Sequence, residues 1–395
     1  MIFRMLGERR TMSVPRVVAL ALVLVLAVSG SLVACQPHPN PMDDLVHLNQ
    51  IQVVGSHNSY HLLADQAERD LRRSVIGDQE DTLEYSHPAL PVQFSDQRVR
   101  QIELDVFDDP DGGLYADPLI RKVTSGKPTP AVMRRPGMKV LHIQDVDYHS
   151  NCLTLIACLT TVRTWSNQHS RHAPIAILLE LKDTPLDLGN YPFVVPKPFD
   201  EDALNRLDAE IRSVFSPDEM ITPDDIRGNR PTLEDAVLKD GWPTLGASRG
   251  KVMFLMDNGD PYRTRYLEGH PSLRARVLFT NSNPGQPDAA FVERNDAVGD
   301  ESEIQDLVAK GYVVRTRSDA DTVEARTDDG TARRAAFRSG AQWVSTDYPY
   351  NSHSVVFTTP FHVTLPGADG PARCNPVNAP AGCNSTLLDP VPDGG

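Results

Sequence analysis

Cysteine and basic residues are both scarce in this chain of 395 residues. There are five cysteines, none in the CxxC spacing typical of zinc sites, so a structural zinc ion is not expected. Lysine and arginine number 39 against 53 aspartate and glutamate residues, which gives a formal net charge of −14. An acidic surface of this kind disfavours nucleic acid and, by itself, anionic membranes. A lipid substrate would therefore have to be recognised locally, by a loop or a pocket.

The N-terminal apolar run, Val17–Val28, is short for a membrane span. It follows an arginine-rich stretch and precedes Leu32-Val33-Ala34-Cys35, which resembles a bacterial lipobox, in which Cys35 is lipidated and becomes the first residue. A plain secretory signal cut nearby is the alternative. We expect residues 1–34 to be a signal peptide and residues 35–45 a lipidated tether. The protein would then be an exported bacterial lipoprotein, anchored outside the cytoplasmic membrane or in the periplasm or outer membrane.

The four remaining cysteines lie in two close pairs along the chain. Cys152 is near Cys158, and Cys374 is near Cys383. If Cys35 carries a lipid, an even number of cysteines is left. In an oxidising exported location, both pairs are predicted to form disulfides.

Polar side chains stand at the ends of several apolar, strand-like runs in the first half of the chain. In chain order they are His57, Asn58, Glu103, Asp105, His142 and Glu180. Side chains at positions i and i+2 share one face of a strand, so Glu103 and Asp105 point the same way and repel each other unless a cation lies between them. Oxygen ligands suit a hard cation such as Ca²⁺ or Mg²⁺. Charges on the rim of an ordinary sheet would explain any one pair, but not the whole ordered set.

Apolar strands alternate with helical segments over about 300 residues, which indicates a parallel sheet with crossover helices. Among the predicted elements are helices over 61–84, 200–215 and 301–310 and a last strand over 341–347. This α/β pattern predicts a (β/α)₈ TIM-type barrel, a single domain over 46–365, followed by an irregular tail over 366–395. A doubly wound sheet is the alternative, but that fold requires a glycine-rich turn after its first strand. The segment Gly55-Ser56-His57-Asn58 is not such a turn.

Four segments taken together resemble the Ca²⁺-dependent phosphatidylinositol-specific phospholipase C family in its compact bacterial form. They are Gly55-Ser56-His57-Asn58, Glu103-Leu104-Asp105, Val140-Leu141-His142 and Leu179-Glu180-Leu181-Lys182. Thr346-Asp347-Tyr348-Pro349 is similar to a last-strand motif shared with glycerophosphodiester phosphodiesterases. The resemblance covers roughly His57 to Pro349, and the ordered combination is more specific than any single motif.

The resemblance implies a barrel phosphodiesterase that cleaves phosphatidylinositol to diacylglycerol and an inositol (cyclic) phosphate. Matched to the family's motifs, the calcium ligands are Asn58, Glu103, Asp105 and Glu180, and the catalytic histidines are His57 and His142. In this interpretation His142 protonates the diacylglycerol oxygen and His57 stabilises the phosphate. The general base is left open among the carboxylates and the histidines. Ca²⁺ is favoured over Mg²⁺ by the resemblance, because oxygen ligands alone allow either ion.

Three further strand-end residues are candidates for binding substrate. Lys182 and Arg317 could contact the phosphate, and Arg317 could instead bind an inositol hydroxyl. Asp257 ends a strand at the same predicted rim. We expect the partner to be a phospholipid at a membrane surface, with no nucleic acid, no protein partner and a monomeric chain.

Two other functions stay open at this point. A glycerophosphodiester phosphodiesterase shares the E-x-D motif and the barrel, but that family usually follows its first histidine with arginine, where this chain has Asn58. The other is a surface lipoprotein that keeps the barrel and binds a ligand without turnover.

Overall fold

The structure, a computed structural model, describes residues 40–187, 189, 191–350 and 357–390. The predicted signal peptide, the lipobox and Cys35 lie outside the described residues. Within them, no helix has both the length and the apolar character needed to cross a bilayer.

Strands and helices alternate along the described chain, as the sequence predicts. The strands are β1 Ile51–Ser56, β2 Gln101–Phe107, β3 Lys139–Val140, β4 Ile175–Leu181, β5 Met220–Ile221, β6 Val252–Met256, β7 Leu278–Thr280, β8 Phe291–Glu293, β9 Val313–Arg317, β10 Trp343–Thr346 and β11 Ala372–Cys374. The helices are α1 Met42–Leu45, α2 Gln66–Ile76, α3 Leu90–Ser95, α4 Leu119–Thr124, α5 Leu155–Gln168, α6 Glu201–Val214, α7 Pro223–Arg227, α8 Leu233–Lys239, α9 Leu245–Ser248, α10 Tyr262–Leu267, α11 Glu301–Lys310, α12 Val323–Thr327 and α13 Thr331–Ser339. Short 3-10 helices cover Leu48–Gln50, Gly77–Leu83, Ala131–Arg134, Pro217–Glu219, Pro271–Leu273 and Ser385–Leu387.

Eight of these strands run parallel and form a ring. Their order around it is β1, β2, β4, β6, β7, β8, β9 and β10, and β10 pairs again with β1. The junction between β7 and β8 is a single parallel bridge, from Asn281 to Phe291, with the Ser282 amide donating to the Phe291 carbonyl at 3.1 Å. The ring confirms the (β/α)₈ prediction and excludes the doubly wound alternative, whose sheet is open.

Gly55 of β1 leaves room for a side chain of the neighbouring strand β2. A Cβ at this position would stand 1.7 Å from Oε1 of the buried Gln101 side chain at the start of β2. Gln101 is also the register partner of Gly55 across these two strands. Glycine is therefore required here by the close approach of β2 rather than by a turn.

Segments on both sides of the predicted barrel domain pack against it. Met42 of α1 is buried in the main core, and Asp43 forms an ion pair with Arg249. In the segment after residue 365, where the sequence shows no periodicity, β11 pairs antiparallel with β1. Leu388 is buried in the same core. The described chain thus packs as one folded unit from residue 40 to residue 390.

Both predicted disulfides are present. Cys152 and Cys158 are bonded with an S–S distance of 2.03 Å, and Cys374 and Cys383 with one of 2.01 Å. The second disulfide closes the segment that follows β11.

Helix ends are the elements that the sequence predicts least well. The predicted helix over 61–84 is wrong at both ends: α2 covers Gln66–Ile76, and a 3-10 helix continues over Gly77–Leu83. Helix α11 has its predicted bounds, and Gly311 ends it in a left-handed conformation.

Candidate active site

The carboxyl ends of the parallel strands carry the predicted site residues at one end of the barrel. His57 and Asn58 follow β1, Glu103 and Asp105 lie on β2, and Glu180 lies on β4. Parallel strands in a closed barrel bring their carboxyl ends to the same face. Residues far apart in sequence therefore meet there.

The turn after β1 is held against β2. Asn58 has a φ of 43°, a left-handed conformation that asparagine tolerates better than most residues. The Ser59 hydroxyl accepts a 2.9 Å hydrogen bond from the Glu103 amide, and the Ser59 amide donates to the Glu103 carbonyl at 3.0 Å. These bonds fix His57 and Asn58 beside the strand that carries the carboxylates.

Three carboxylates come together at this face. One side-chain oxygen from each of Glu103, Asp105 and Glu180 lies within 4.8 Å of the others. Asp105 and Glu180 are register partners on neighbouring parallel strands, and Glu103 shares its strand face with Asp105. The sequence predicted this convergence of carboxylates, although their role as ligands is not thereby tested.

Asp105 is the most constrained of the three carboxylates. It is fully buried, and neither carboxylate oxygen accepts a hydrogen bond from any described residue. Burial and then the charge of Glu180 raise the pKa of Asp105 well above its ordinary value. Burial also raises the pKa of Glu103 to about 7, although Arg315 opposes the shift. A buried carboxylate with free lone pairs beside two others is the donor set that a hard divalent cation requires.

Lys182 partly neutralises this cluster. Its Nζ lies 2.9 Å from Oε1 of Glu180 and 3.3 Å from Oδ2 of Asp105. The lysine therefore lies at the site and is paired with two of the carboxylates, which leaves its predicted contact with phosphate untested.

Asn58 is connected to the cluster through Tyr60. The Tyr60 hydroxyl donates to Asn58 Oδ1 at 3.2 Å, while Asn58 Nδ2 donates to the Tyr85 hydroxyl at 2.8 Å. Burial, followed by the charge of Asp105, raises the pKa of Tyr60 well above its ordinary value, which places this hydroxyl beside the carboxylates as well. The Asn58 amide oxygen and the Asp105 carboxylate thus both lie near the Tyr60 hydroxyl.

His57 is held by the aspartate that follows the last barrel strand. Its Nδ1 lies 2.7 Å from Oδ1 of Asp347, and its Nε2 lies 3.5 Å from Oε1 of Glu103. An ionised carboxylate only accepts, so Nδ1 carries the proton and the lone pair remains on Nε2. Burial and the positive charge of Arg317 lower the pKa of His57 well below its ordinary value. His57 is therefore a neutral imidazole in this arrangement.

His142 is held by an equivalent bond to Asp147. Its Nδ1 lies 2.8 Å from Oδ2 of Asp147, and no described residue hydrogen bonds its Nε2. Asp147 is buried, yet His61, His142 and Arg72 keep its pKa well below the ordinary value. Burial lowers the pKa of His142, and the Asp147 carboxylate opposes that shift. Nε2 of His142 is consequently available to a ligand.

His61, His142 and Asp147 form a second cluster, but the ring nitrogens of His61 are not free to bind a metal ion. His61 Nδ1 lies 3.0 Å from the Tyr85 carbonyl, and its Nε2 lies 2.9 Å from Asp147 Oδ2. With an acceptor oxygen at each ring nitrogen, His61 has no lone pair left for a metal. The cluster orients His142 instead.

The two remaining predicted residues also lie at this face. Arg317 ends β9, and its Nη1 lies 3.3 Å from His57 Nε2, while its Nη2 lies 3.5 Å from Asp347 Oδ2. The charge of Asp257 acts on both Glu103 and Glu293, raising the pKa of each. Their proposed contacts with substrate are not tested by these positions.

Several residues of the site were not assigned a role from the sequence. They are Tyr60, Tyr85, Asp147, Glu293, Arg315 and Asp347. Arg315 is buried and forms ion pairs with Glu103 and Glu293. For Asp347 the sequence did hold a signal, because it directly follows the last barrel strand. Asp147 lies in an irregular loop and Tyr85 just beyond a 3-10 helix, where spacing carries no such signal.

One family model matches most of the chain, and a solved structure shares its fold. A family model described as phosphoinositide phospholipase C, Ca²⁺-dependent, matches residues 46–376. No curated protein sequence matches the chain. A solved structure of a calcium-dependent phosphoinositol-specific phospholipase C from the Gram-negative bacterium Pseudomonas sp., with myo-inositol, is 17% identical and has a TM-score of 0.50. The match covers 85% of this chain and 97% of that one, and at this identity it shows the fold.

Two further solved structures are more distant. A Ca²⁺-dependent phosphatidylinositol-specific phospholipase C from Streptomyces antibioticus is 17% identical, covers 76% of this chain and 95% of its own, and has a TM-score of 0.46. A glycerophosphoryl diester phosphodiesterase from Parabacteroides distasonis is 11% identical, covers 76% and 84%, and has a TM-score of 0.28.

Proposed function

This chain belongs to the Ca²⁺-dependent phosphoinositide phospholipase C family, and from that premise we propose which of its residues carry the reaction. It is a phosphoric diester hydrolase that acts on phosphatidylinositol, releasing diacylglycerol and an inositol (cyclic) phosphate. The observation that carries the assignment of roles is the meeting of three carboxylates and two aspartate-backed histidines at one end of the barrel.

Glu103, Asp105, Glu180 and Asn58 would hold the divalent cation, and we propose that it is Ca²⁺. Their oxygen atoms suit a hard ion, and the buried Asp105, whose oxygens accept no hydrogen bond from the described residues, fits a ligand role. When bound there, the cation would lower the pKa of the attacking inositol hydroxyl and offset charge on the phosphate.

We propose His57 as the general base, in place of the phosphate-stabilising role that the sequence resemblance suggested. Asp347 holds its Nδ1 proton, so the lone pair on Nε2 stands 3.5 Å from Glu103, at the edge of the carboxylate cluster. A substrate hydroxyl beside the cluster would be within reach of this nitrogen. As the proton arrives, Asp347 would stabilise the imidazolium.

His142 is assigned the role of general acid. A proton on its Nε2 would pass to the departing diacylglycerol oxygen, while Asp147 stays bonded to Nδ1. We propose that Arg317 and Lys182 contact the non-bridging phosphate oxygens and that Asp257 accepts a hydrogen bond from an inositol hydroxyl. Arg317 suits a phosphate because its planar guanidinium can bind two oxygens at once.

The function is tested with phosphatidylinositol vesicles, with and without a chelator. We expect turnover without chelator, none with it, and recovery on adding excess Ca²⁺ but far less on adding Mg²⁺, since Mg²⁺ demands shorter and more regular coordination. The products to measure are diacylglycerol and cyclic inositol phosphate.

Other outcomes of this assay would assign a different function. Release of glycerol 3-phosphate and an alcohol from a glycerophosphodiester would instead support the glycerophosphodiester phosphodiesterase. Equal inertness of the wild type and His57→Ala on every phosphodiester tried would support a binding lipoprotein.

We further propose that the protein is exported and anchored by lipid at Cys35, which follows Leu32-Val33-Ala34. Wild-type protein should fractionate with membranes and incorporate labelled fatty acid, whereas Cys35→Ser should do neither. Retention of label in Cys35→Ser would contradict the anchor.

A further inference from the structure

Helix α2 places a buried arginine between two buried carboxylates. Nε and Nη2 of Arg72 donate to the two carboxylate oxygens of Glu80, at 2.8 and 2.7 Å. Its Nη1 donates to Oδ1 of Asp147 at 2.8 Å and to the Val146 carbonyl at 3.0 Å. Arg72 is 5% exposed, and both carboxylates are fully buried. Arg72, Glu80 and Asp147 thus form a buried charge triad, in which one positive charge faces two negative charges away from water.

Asp147 joins this triad to His142. Oδ2 of Asp147 lies 2.8 Å from Nδ1 of His142 and 2.9 Å from Nε2 of His61. Its other oxygen, Oδ1, accepts from Arg72. One oxygen of this carboxylate therefore contacts the imidazoles, while the second is fixed by the guanidinium. The position and the charge of Asp147 beside His142 consequently depend on Arg72.

Helix α2 holds the loop after His142 at a second point. Glu68, which is also buried, lies 3.0 Å from the Tyr148 hydroxyl and 2.6 Å from Nε2 of His149. Residues four apart share one face of a helix, so Glu68 and Arg72 contact adjacent residues of the same loop. The loop that carries Asp147 is therefore positioned by α2 as well as by β3.

Stability alone does not account for the buried charge triad. Taking charged groups out of water is costly, and apolar residues that fill the same space are often at least as stabilising as a buried ion pair. Burial raises the pKa of Glu80, although its hydrogen bonds with Arg72 oppose the shift. The effect of these charges is therefore to be sought at the group that the triad contacts, which is His142.

We propose that Arg72 and Glu80 are positioning residues for His142, because they hold Asp147 in place and leave it one net negative charge. The charges of Arg72 and Glu80 cancel, so the triad presents a single negative charge to the imidazole. A negative charge beside His142 favours its protonated form, which a general acid requires. The inference rests on the proposed function, since it concerns how the acid of that reaction is kept protonated.

Other charged or titratable groups also act on His142, from several elements of the fold. They are Asp147 in its own loop, His57 and His61 after β1, Lys182 after β4 and Asp347 after β10. Burial lowers the pKa of His142, Asp147 opposes that shift, and Lys182 adds to it. Substitutions at Arg72 and Glu80 leave all of these side chains in place. A changed titration of His142 in such variants is therefore attributable to the triad.

The test removes the negative charge of Glu80 with almost no change in shape. In Glu80→Gln the triad becomes neutral, because only Arg72 and Asp147 remain charged. The protonated form of His142 then loses a favourable interaction, so its pKa falls. In a pH profile of kcat/KM on a water-soluble phosphatidylinositol with short acyl chains, the decline at high pH should move to lower pH by about one unit. Activity on that side of the profile should decrease about tenfold.

The double variant Arg72→Gln, Glu80→Gln distinguishes the effect of charge from that of structure. It removes one charge of each sign, so Asp147 again presents one negative charge to His142. We expect the midpoint of the decline to return to within about 0.3 unit of the wild type. The kcat should nevertheless be about tenfold lower, since Arg72 no longer holds Asp147 and its backbone. A role in folding alone predicts the same midpoint in the wild type and both variants.

Asp81→Asn is the matched control. Asp81 is the next residue of the same 3-10 helix, and it pairs with Arg73 and Arg326, at 2.6 and 2.8 Å, rather than with the triad. The substitution removes the same negative charge one residue away, so its pH profile should match that of the wild type. An equal shift in Asp81→Asn and Glu80→Gln, or no shift in Glu80→Gln, would overturn the proposal.

An NMR titration of His142, in metal-free protein without substrate, separates this inference from the proposed function. The signal is assigned by its absence in His142→Ala. Its midpoint should fall in Glu80→Gln and recover in the double variant. If the catalytic function is wrong, no protein turns over phosphatidylinositol but the shift of His142 persists. If the triad has no influence on His142, the wild type is active and the titration curves of all variants coincide.

Discussion

His142→Ala is expected to lower kcat on phosphatidylinositol by about 10²–10⁴-fold, the usual contribution of a positioned acid or base. Asp147 would keep its bonds to His61 and Arg72, so the buried network should survive the substitution. His142 is 18% exposed, and its removal leaves little buried space. We therefore expect thermal stability and Ca²⁺ affinity to stay near those of the wild type.

The assignment of His142 as the acid can be separated from a merely structural role by the leaving group. An inositol phosphodiester with an aryl leaving group needs little protonation, so the activity of His142→Ala on it should approach that of the wild type. His57→Ala should remain slow on both substrates, because proton removal from the attacking hydroxyl is still required. His169→Ala, at the end of α5 and away from the carboxylate cluster, serves as the control. An equal loss of activity of His142→Ala on both substrates would contradict its role as the acid.

Asp105→Asn is expected to remove the stabilisation of the protein by Ca²⁺. For the wild type, Ca²⁺ at 100 times its dissociation constant should raise the free energy of unfolding by about 2.7 kcal/mol. Without the Asp105 carboxylate, that increase should be largely lost. The kcat should fall by at least about 10³-fold, since a bound cation contributes several kcal/mol to the transition state.

The stability of Asp105→Asn in the absence of metal tests the ligand role of Asp105 more directly. Burial and Glu180 disfavour the charged form of Asp105, which is why its pKa is raised well above the ordinary value. A neutral amide of the same shape should therefore be at least as stable as the wild type in chelator, measured by denaturant unfolding. A destabilised metal-free variant would show that Asp105 acts mainly through its ion pair with Lys182.

Asp319→Asn is the control for this pair of measurements. Asp319 is also buried at the carboxyl end of the barrel, but it accepts a hydrogen bond from the Asp347 amide at 2.9 Å and is not one of the clustered carboxylates. The response of its stability to Ca²⁺ should match that of the wild type. Loss of this response in both variants would indicate general damage to this end of the barrel.

The two histidines show which parts of the site could be predicted from the sequence. His57 was predicted from the barrel strand that precedes it, because the carboxyl ends of parallel strands share one face. The same argument was wrong in detail for His142, because its strand, β3, pairs antiparallel with β2 and is not part of the ring. The partners of the two histidines were not identified. Asp347 is 290 residues from His57 along the chain, and Asp147 lies in a loop that bends back on itself through a bridge between Ile143 and Asp147. The sequence left the general base open, and our proposal of His57 rests on the Asp347 carboxylate beside its Nδ1.

Residue pattern by itself determined the order of strands and helices, the two cysteine pairs and the carboxylates at the strand ends. These features depend on neighbours a few positions away, so local spacing is enough to specify them. Closure of the ring through Asn281 and Phe291, the partners of each histidine and the coupling of Arg315 to Glu103 were decided by tertiary structure. His57 and Asp347 are 290 positions apart, and Arg315 and Glu103 are 212 apart. All of these contacts depend on how eight strands tilt and close, which no single segment encodes.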